Sequence, residues 1–247
     1  MADVVVITGG SRGIGAACAR LAAKAGYDVC LNYVSNRDAA SAVVAEIEAA
    51  GGTARAVAGD VGSNDDVIAL FKAADEMGTL KGLINNAGVL DVRSRIDEMT
   101  PERLERIMRT NILGSFFCAR EAVIRMSTKR GGEGGAIVNL SSIAALLGAP
   151  NQYADYAASK GAIDTFTRGL ALEVAEEGIR VNGVRPGIID TEIHASGGEP
   201  DRARKLRDII PMKREGSAEE VAEAIVWLMS GKASYVTGAT LDVSGGR

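Results

Sequence analysis

Short apolar runs alternate along the whole chain with longer segments that have the periodicity of amphipathic helices. The runs predict about seven strands, over residues 4–7, 28–33, 53–58, 80–85, 136–140, 179–184 and 240–243. The segments between them predict helices over residues 13–25, 38–50, 64–77, 101–129, 153–177 and 218–229. Continuous apolar strands separated by helices are typical of a parallel sheet with both faces covered and right-handed crossovers. The pattern therefore predicts a doubly wound α/β fold.

Polar residues mark the start of two of these helices. Ser217 followed by Glu220 is a capping box, in which each residue satisfies a free N–H group of the first turn. Ser35 and Asp38 are interpreted as a similar pattern, with Asp38 serving the helix start. Because no linker, composition break or internal repeat interrupts the chain, residues 1–247 are predicted to form one domain.

The composition is that of an ordinary globular protein, with 47% hydrophobic and 24% charged residues. No apolar run approaches the roughly 20 residues that span a bilayer, and the short apolar run at residues 3–7 lacks the basic segment of a secretory signal. Widely separated cysteines fit neither a disulfide framework nor a metal cluster. We therefore expect no membrane association and a reduced, cytoplasmic setting. The cysteines are Cys18, Cys30 and Cys118.

Charge and histidine content exclude several classes of function. The net charge is -4 and basic residues are interspersed with acidic ones, which argues against nucleic acid as a partner. His194 is the single histidine, so a site with several histidine ligands is impossible and no metal is expected. A Ser-His-Asp hydrolase would depend on His194, but no G-x-S-x-G elbow accompanies it. His194 is therefore interpreted as a solvated loop residue.

A glycine-rich turn, Thr8–Gly15, follows the first predicted strand and opens the first predicted helix. Glycine permits a sharp turn, close approach to a pyrophosphate and tight packing of helix on strand, and a helix N-terminus attracts phosphate. The spacing of Gly9, Gly13 and Gly15 differs from G-x-G-x-x-G and is a weak signal alone. Its place between strand and helix favours a dinucleotide site over the alternative, an ordinary tight turn.

The end of the second predicted strand bears on which dinucleotide is bound. An NAD site usually has an acidic residue there, bonded to the ribose 2′-hydroxyl. This strand ends at Tyr33 without a carboxylate, and Asp38 is assigned to the helix start. Arg12 and Arg37 are candidates to bind a 2′-phosphate, since guanidinium groups suit phosphate oxygens; each could equally be a surface arginine. NADP(H) is therefore favoured, and NAD(H) stays open.

Tyr156 and Lys160 form the main catalytic candidate. Residues four apart lie one turn above the other on a helix, and a phenol beside an ammonium is a proton donor with an adjustable pKa. Ser142 follows the fifth predicted strand, at the end of the sheet where doubly wound folds bind ligands. Asn111 lies inside a predicted helix, where asparagine is unfavourable unless its amide is used. This set indicates hydride transfer to or from a carbonyl carbon.

Taken together, these motifs resemble those of the short-chain dehydrogenase/reductase family, over essentially the whole chain. The resemblance implies a Rossmann-type sheet of seven strands, NAD(P)-dependent oxidoreduction and a homotetramer. The motifs that carry it are Thr8–Gly15, Asp60-Val61, Asn85-Asn86-Ala87-Gly88, Asn111, Ser141-Ser142, Tyr156–Lys160 and Pro186–Thr191.

The resemblance also implies a role for each catalytic candidate. Tyr156 would be the general acid in reduction and the base in oxidation. Lys160 would lower the pKa of Tyr156 and bind the nicotinamide ribose. Ser142 would hydrogen-bond the substrate oxygen, and Asn111 would hold a water in a proton relay behind Lys160.

Other positions are implied to bind the cofactor. Asp60 would accept a hydrogen bond from the adenine amino group, in a pocket that Val61 lines. Ile189 and Thr191 would fix the carboxamide and so the face of the ring that reacts. The remaining nucleotide-binding residues are Gly9, Ser11, Arg12, Gly13, Ile14, Gly15, Tyr33, Arg37, Asn86, Ala87, Gly88, Pro186 and Gly187, together with Tyr156 and Lys160.

The sequence does not specify the substrate beyond a small carbonyl or alcohol compound. A 3-oxoacyl thioester, a sugar, a steroid-like ketone and a small aldehyde all stay open, as does the direction of the reaction. Residues 190–212 are predicted to form a mobile lid that hinges at Gly197-Gly198. The alternative function is a regulator that senses NADP(H) without turnover, although such a sensor has no need of a proton donor.

Overall fold

A computed structural model of the protein describes residues 2–192, 197–199 and 201–247. Within them, seven strands join one parallel sheet in the order β3-β2-β1-β4-β5-β6-β7. The sheet confirms the predicted Rossmann-type doubly wound fold. The strands are β1 (Asp3–Ile7), β2 (Asp28–Tyr33), β3 (Ala54–Ala58), β4 (Thr79–Asn85), β5 (Gly135–Leu140), β6 (Ile179–Pro186) and β7 (Thr240–Val243).

Helices cover both faces of this sheet. The apolar face of α1, α2 and α9 packs on one side and that of α3, α5 and α7 on the other, each over a cluster of fully buried aliphatic residues. None of the helices in the described residues is long and apolar enough to cross a membrane. The helices are α1 (Gly13–Lys24), α2 (Arg37–Ala49), α3 (Asn64–Asp75), α4 (Pro101–Met108), α5 (Gly114–Met126), α6 (Ala144–Leu147), α7 (Ala154–Val174), α8 (Arg202–Lys205) and α9 (Ala218–Met229).

The order of the strands places the site. In the sheet, β2 and β3 lie on one side of β1, and β4 to β7 lie on its other side. The direction in which successive strands are added therefore reverses at β1. Ligands of doubly wound sheets bind in the crevice that opens where the direction changes, beyond the carboxyl ends of the strands. The turn after β1 and the segments after β4 and β5 all begin at this edge of the sheet.

The long helix predicted over 101–129 is present as helical backbone from Pro101 to Met126, but it is not a regular α-helix throughout. A wider π-helical turn, Arg109–Leu113, separates α4 from α5. Asn111 lies within this turn and is fully buried, with its amide hydrogen-bonded to the backbone of another segment rather than exposed on a helix surface. Such turns occur mostly at functional sites, and apolar periodicity does not reveal them.

The helix starts agree with the sequence in one case and differ in the other. Ser217 and Glu220 form the predicted capping box, with Ser217 Oγ accepting from the Glu220 N–H at 3.2 Å. The N-cap of α2, however, is Asn36, whose Oδ1 accepts from the Ala39 N–H at 3.0 Å. Asp38 is instead in the first turn, where a negative charge is favourable near the positive end of the helix.

Candidate active site

The glycine turn brings three chain segments into close contact. Gly9 has a φ of 62°, a left-handed conformation that glycine adopts without steric cost. A Cβ atom on Gly15 would lie 2.2 Å from the Gly9 carbonyl oxygen and 2.5 Å from Asn86 Nδ2. Glycine is therefore required at residue 15 because helix, turn and the segment after β4 pack without room for a side chain.

Two polar side chains, the buried Thr8 and the half-buried Asn86, hold this turn in place. Thr8 Oγ1 accepts hydrogen bonds from the backbone N–H groups of Asn86 and Ala87, at 3.0 and 2.9 Å. The Asn86 amide donates to the carbonyl oxygens of Thr8 and Gly9, at 2.8 and 2.9 Å. These bonds fix the turn after β1 against the turn after β4, on the two sides of the crevice.

The α1 N-terminus fits a phosphate-bearing ligand. No side chain caps it, and its first turn contains no acidic residue, so its free N–H groups and the positive end of the helix dipole remain available to an anion. Gly13, the first residue of α1, has a φ of 51° and presents backbone to the cavity in front of it. The residues present therefore fit the pyrophosphate of a dinucleotide.

This cavity has a volume of about 490 Å³. Asp60 and Val61 line its far end, and Arg12 lines it beside the end of β2. Arg37 does not line it, although its neighbour Asn36 does. The other predicted cofactor residues on its wall are Gly9, Ser11, Gly13, Ile14, Tyr33, Asn86, Ala87, Gly88 and Thr191.

The end of β2 offers no carboxylate to this cavity. Its wall there is formed by Tyr33, Val34, Ser35 and Asn36. Arg12, at the N-cap position of α1, is exposed and makes no ion pair among the described residues. The cavity is therefore open to an added negative charge near the second strand.

Ser142, Tyr156 and Lys160 meet on the wall of a second cavity, of about 410 Å³. Ser142 follows β5, while Tyr156 and Lys160 lie one turn apart on α7. Lys160 Nζ is 5.7 Å from the centre of the Tyr156 ring and donates to the Leu140 carbonyl oxygen at 2.7 Å. The predicted catalytic set thus comes together at one place.

Burial and hydrogen bonding act in opposite directions on Tyr156. Removal from water raises the pKa of its phenol, while a hydrogen bond with the Ser142 side chain lowers that pKa. The pKa of Lys160 falls to about 8 because burial disfavours its charged form, an effect that the carboxylate of Asp164 partly offsets. The site therefore contains a phenol, Tyr156, and an amine, Lys160, and the protonation state of each responds strongly to what binds beside it.

Asn111 approaches this pair through the π-helical turn. Its Oδ1 accepts from the Val89 N–H at 2.8 Å, and its Nδ2 donates to Ser159 Oγ at 3.0 Å. A Cβ atom on Gly88 would be 3.4 Å from Lys160 Nζ and 3.5 Å from Asn111 Oδ1. Asn111 and Lys160 thus both lie within van der Waals contact of the space beside Gly88.

The two cavities adjoin each other. Ile14, Asn86, Gly88 and Thr191 line both of them. Pro186, Gly187 and Ile189, predicted cofactor residues at and just after the end of β6, line the second cavity. A dinucleotide extending from Asp60 past these shared residues would bring its reactive end to Ser142 and Tyr156.

Two loops border the second cavity. The loop 149–152 contributes Ala149, Pro150 and Gln152 to its wall, and Ala149 and Asn151 have positive φ values of 43° and 57°. The predicted lid is described only in part. Residues 193–196 and 200, which include His194, lie outside the described residues, and of the remainder α8 contributes Arg202 to the cavity.

Sequence reasoning did not find several residues that shape the site. The role of Thr8 depends on tertiary structure, because its contacts cross the crevice. The same is true of Arg103 and Asp155, whose side chains meet although they are 52 residues apart. The sequence signal that could have drawn attention to this pair is the position of Asp155, directly before Tyr156. Arg202 and Arg247 also line the second cavity, but their mixed-charge surroundings in the sequence did not indicate it.

Comparisons with known proteins agree with this geometry. A family model described as enoyl-(acyl carrier protein) reductase matches residues 9–247. The chain is 55% identical over 245 residues to the uncharacterized oxidoreductase YgfF of Escherichia coli, covering 99% of each chain. The 3-ketoacyl-(acyl-carrier-protein) reductase of Brucella melitensis, solved with NADH, superposes with a TM-score of 0.91 at 33% identity, covering 99% of this chain and 98% of that chain.

A blue fluorescent protein from a metagenomic library, solved in complex with NADPH, also has this structure. Its TM-score is 0.90 at 35% identity, with 99% of this chain and 97% of that chain covered. Fold, site and relatives define an NAD(P)-dependent oxidoreductase that acts on CH–OH or C=O groups. The chain belongs to the short-chain dehydrogenase/reductase family.

Proposed function

We propose that the protein is a carbonyl reductase or alcohol dehydrogenase that prefers NADP(H), with Tyr156 as its general acid and base. The observation that carries this proposal is the meeting of Ser142, Tyr156 and Lys160 on the wall of the second cavity, which adjoins the cavity that fits a dinucleotide. A bound nicotinamide supplies or accepts the hydride at the substrate carbon. The chain supplies position, a proton and an electrostatic field.

The three side chains have distinct roles in this proposal. The Ser142 hydroxyl donates to the substrate oxygen and stabilises the negative charge that develops there. The Tyr156 hydroxyl gives its proton to that oxygen during reduction and takes it back during oxidation. The Lys160 ammonium favours the phenolate form of Tyr156 and binds the ribose, and Asn111 holds a water behind it for proton exchange.

The preference for NADP(H) is supported by the charges at the end of β2. Arg12 has no carboxylate partner among the described residues, and the wall at the end of β2 carries no carboxylate, although Asp60 and Glu192 also line this cavity. A ribose 2′-phosphate would supply the missing negative charge, and guanidinium binds phosphate with two parallel hydrogen bonds. Arg37, one position beyond the cavity wall, is proposed as a second and weaker contact.

We also propose one domain over residues 1–247, a homotetramer and a cytoplasmic location. Exposed apolar residues on two groups of elements support the tetramer, since such symmetry needs two different self-complementary interfaces. One includes Leu113, Phe116 and Leu172; the other includes Trp227 and Leu241. A reducing compartment is supported by Cys18, Cys30 and Cys118, which are all free and buried.

Titration calorimetry with NADPH and with NADH, followed by a screen of carbonyl compounds, tests the proposed function. We expect tighter binding of NADPH and oxidation of NADPH that depends on an added carbonyl compound. Tighter NADH binding with turnover would overturn the cofactor preference alone. Binding without turnover across ketones, aldehydes, sugars and 3-oxoacyl thioesters would favour the NADP(H)-sensing regulator instead.

A further inference from the structure

Arg202 is held rigidly at the mouth of the second cavity. Its Nη1 donates to Glu199 Oε2 at 2.9 Å, and its Nη2 donates to Gln152 Oε1 at 2.9 Å. The guanidinium carbon lies 5.2 Å from the centre of the Tyr153 ring, an arrangement that is favourable because the ring face is electron-rich. Arg202 therefore presents its positive charge in a fixed position.

Arg247 lines the same cavity. Its backbone is anchored, because Ser244 Oγ donates to the Arg247 carbonyl oxygen at 3.1 Å. Its guanidinium makes no ion pair among the described residues. Burial lowers the pKa of Arg247, and the nearby charge of Arg202 lowers it further. The two guanidinium groups are thus close enough to repel each other.

The surrounding charges neutralise this pair only in part. Glu199 is shared between Arg202 and Arg93, whose Nη2 is 2.7 Å from it. Neither aspartate nor glutamate is among the described residues that line the cavity. Apart from Lys160 and the polar groups around Tyr156, most of the wall is apolar, with Leu90 and Leu147 among its members.

We propose that this cavity takes carbonyl or alcohol substrates that carry an anionic group, which binds between Arg202 and Arg247 while the carbonyl lies at Ser142 and Tyr156. The proposal rests on the proposed function, which places the reacting carbonyl at that end of the cavity. The anionic group is a carboxylate or a phosphate monoester, since both offer a guanidinium two oxygen acceptors. The apolar wall contacts the carbon skeleton between the two ends.

An anion resolves the electrostatic conflict that the pair creates. Two like charges held in a half-buried cavity repel more strongly than they would in water. A bound carboxylate or phosphate replaces this repulsion with two charge-assisted attractions, which are the strong class of hydrogen bonds. A neutral substrate leaves the repulsion in place, so binding should discriminate between charged and uncharged forms of one compound.

The test compares matched substrates with the wild-type protein and two variants. Oxo acids with the carbonyl at successive distances from the carboxylate are compared with their methyl esters, and ketone phosphates with the corresponding alcohols. Arg247→Gln removes the unpaired guanidinium. Arg204→Gln removes one positive charge from the same short helix as Arg202, but at an exposed position outside the cavity wall.

For the wild type we expect kcat/KM to be at least tenfold higher for one anionic series than for its neutral partners. Arg247→Gln should reduce this ratio at least tenfold, and Arg204→Gln should leave it within twofold. Whichever series shows the larger ratio, acid or phosphate, identifies the anionic group. Equal kcat/KM for charged and neutral partners, or an equal change of the ratio in both variants, would overturn the proposal.

Calorimetry separates this proposal from the proposed function. Protein saturated with NADP⁺, or with NAD⁺ if that binds more tightly, is titrated with the same acids and phosphates. Binding that weakens at least tenfold in Arg247→Gln, without any carbonyl-dependent turnover, would support the anion site while the proposed function fails. Turnover of neutral ketones with no binding preference for anions would support the proposed function and overturn the anion site.

Discussion

Arg103 and Asp155 form a buried ion pair with two hydrogen bonds, directly beside Tyr156. Arg103 Nε is 2.7 Å from Asp155 Oδ2, and Nη2 is 3.2 Å from Oδ1. Asp155 Oδ1 also accepts from the Tyr156 N–H at 2.9 Å, and Arg103 Nη1 donates to the Val92 carbonyl oxygen at 2.7 Å. The pair therefore ties the start of α7 to α4 and to the loop at residue 92.

Breaking this pair should reduce both stability and turnover. Asp155→Asn leaves the Arg103 charge buried without its partner, which typically costs about 3–5 kcal/mol of unfolding free energy. The double variant Arg103→Met/Asp155→Leu removes both charges, and such replacements are often neutral for stability. We expect it to unfold near the wild-type denaturant concentration yet to have kcat lowered about tenfold, because the contact with the Tyr156 backbone is lost. If the double variant has both the stability and the kcat of the wild type, the pair serves folding alone.

Replacing Tyr156 with Phe should remove the proton donor and preserve the shape of the ring. We expect kcat to fall by about 10²–10⁴, the usual contribution of general acid–base catalysis, with the dissociation constant of NADPH nearly unchanged. Tyr153→Phe is the matched control, one turn earlier in the chain. Its hydroxyl is buried without a hydrogen-bond partner among the described residues, so kcat should change no more than a few-fold. Similar losses in the two variants would contradict the role of Tyr156.

The sequence predicted the sheet because strands buried on both faces have continuous apolar runs, and runs such as residues 4–7 and 136–140 are short and sharply bounded. It also predicted that Ser142, Tyr156 and Lys160 come together, since Tyr156 and Lys160 are related by helical spacing and Ser142 lies just past the end of a strand. These relationships are local. The order of the strands then brings the segments together at one edge.

Relationships between distant residues were beyond the sequence. The π-helical turn around Asn111 depends on a hydrogen bond to Val89, on another segment. The meeting of Arg202 with Arg247 likewise depends on tertiary packing, because neither position has a local pattern that marks a cavity wall. Arg37 is a different case: its place near the end of β2 predicted a phosphate contact, whereas in the structure its neighbour Asn36 lines the cavity and Arg37, the first residue of α2, does not.

Removing the Ser142 hydroxyl should move the pH dependence toward higher pH. The hydrogen bond from Ser142 lowers the pKa of Tyr156, so Ser142→Ala should raise that pKa. Alcohol oxidation requires the phenolate, and its rise of kcat/KM with pH should therefore begin at higher pH in the variant. Carbonyl reduction requires the phenol, so its decline at alkaline pH should shift in the same direction. A uniform loss of rate with unchanged profiles would assign Ser142 to substrate binding only.

The cofactor preference should respond unequally to the two arginines near β2. Arg12→Gln removes a guanidinium from the cavity wall and should weaken NADPH binding about tenfold, in line with the loss of a charge-assisted hydrogen bond. Its effect on NADH should be small, because NADH lacks the 2′-phosphate. Arg37→Gln should change NADPH binding less, since Arg37 lies outside the wall. Calorimetric titration of both variants with both cofactors measures this, and equal effects on NADPH and NADH would contradict the assignment of Arg12.

Lys160 should make stability depend on pH in a defined window. Burial lowers its pKa to about 8, against about 10.4 in an unfolded chain. Between these values the unfolded state binds more protons, so the unfolding free energy should rise with pH, by roughly 3 kcal/mol across the window. Lys160→Met lacks this contribution and loses the hydrogen bond to Leu140, which adds a constant offset. Urea unfolding of both proteins from about pH 7 to about pH 10 should therefore give a steeper rise for the wild type, and parallel curves would show that Lys160 titrates alike in the folded and unfolded states.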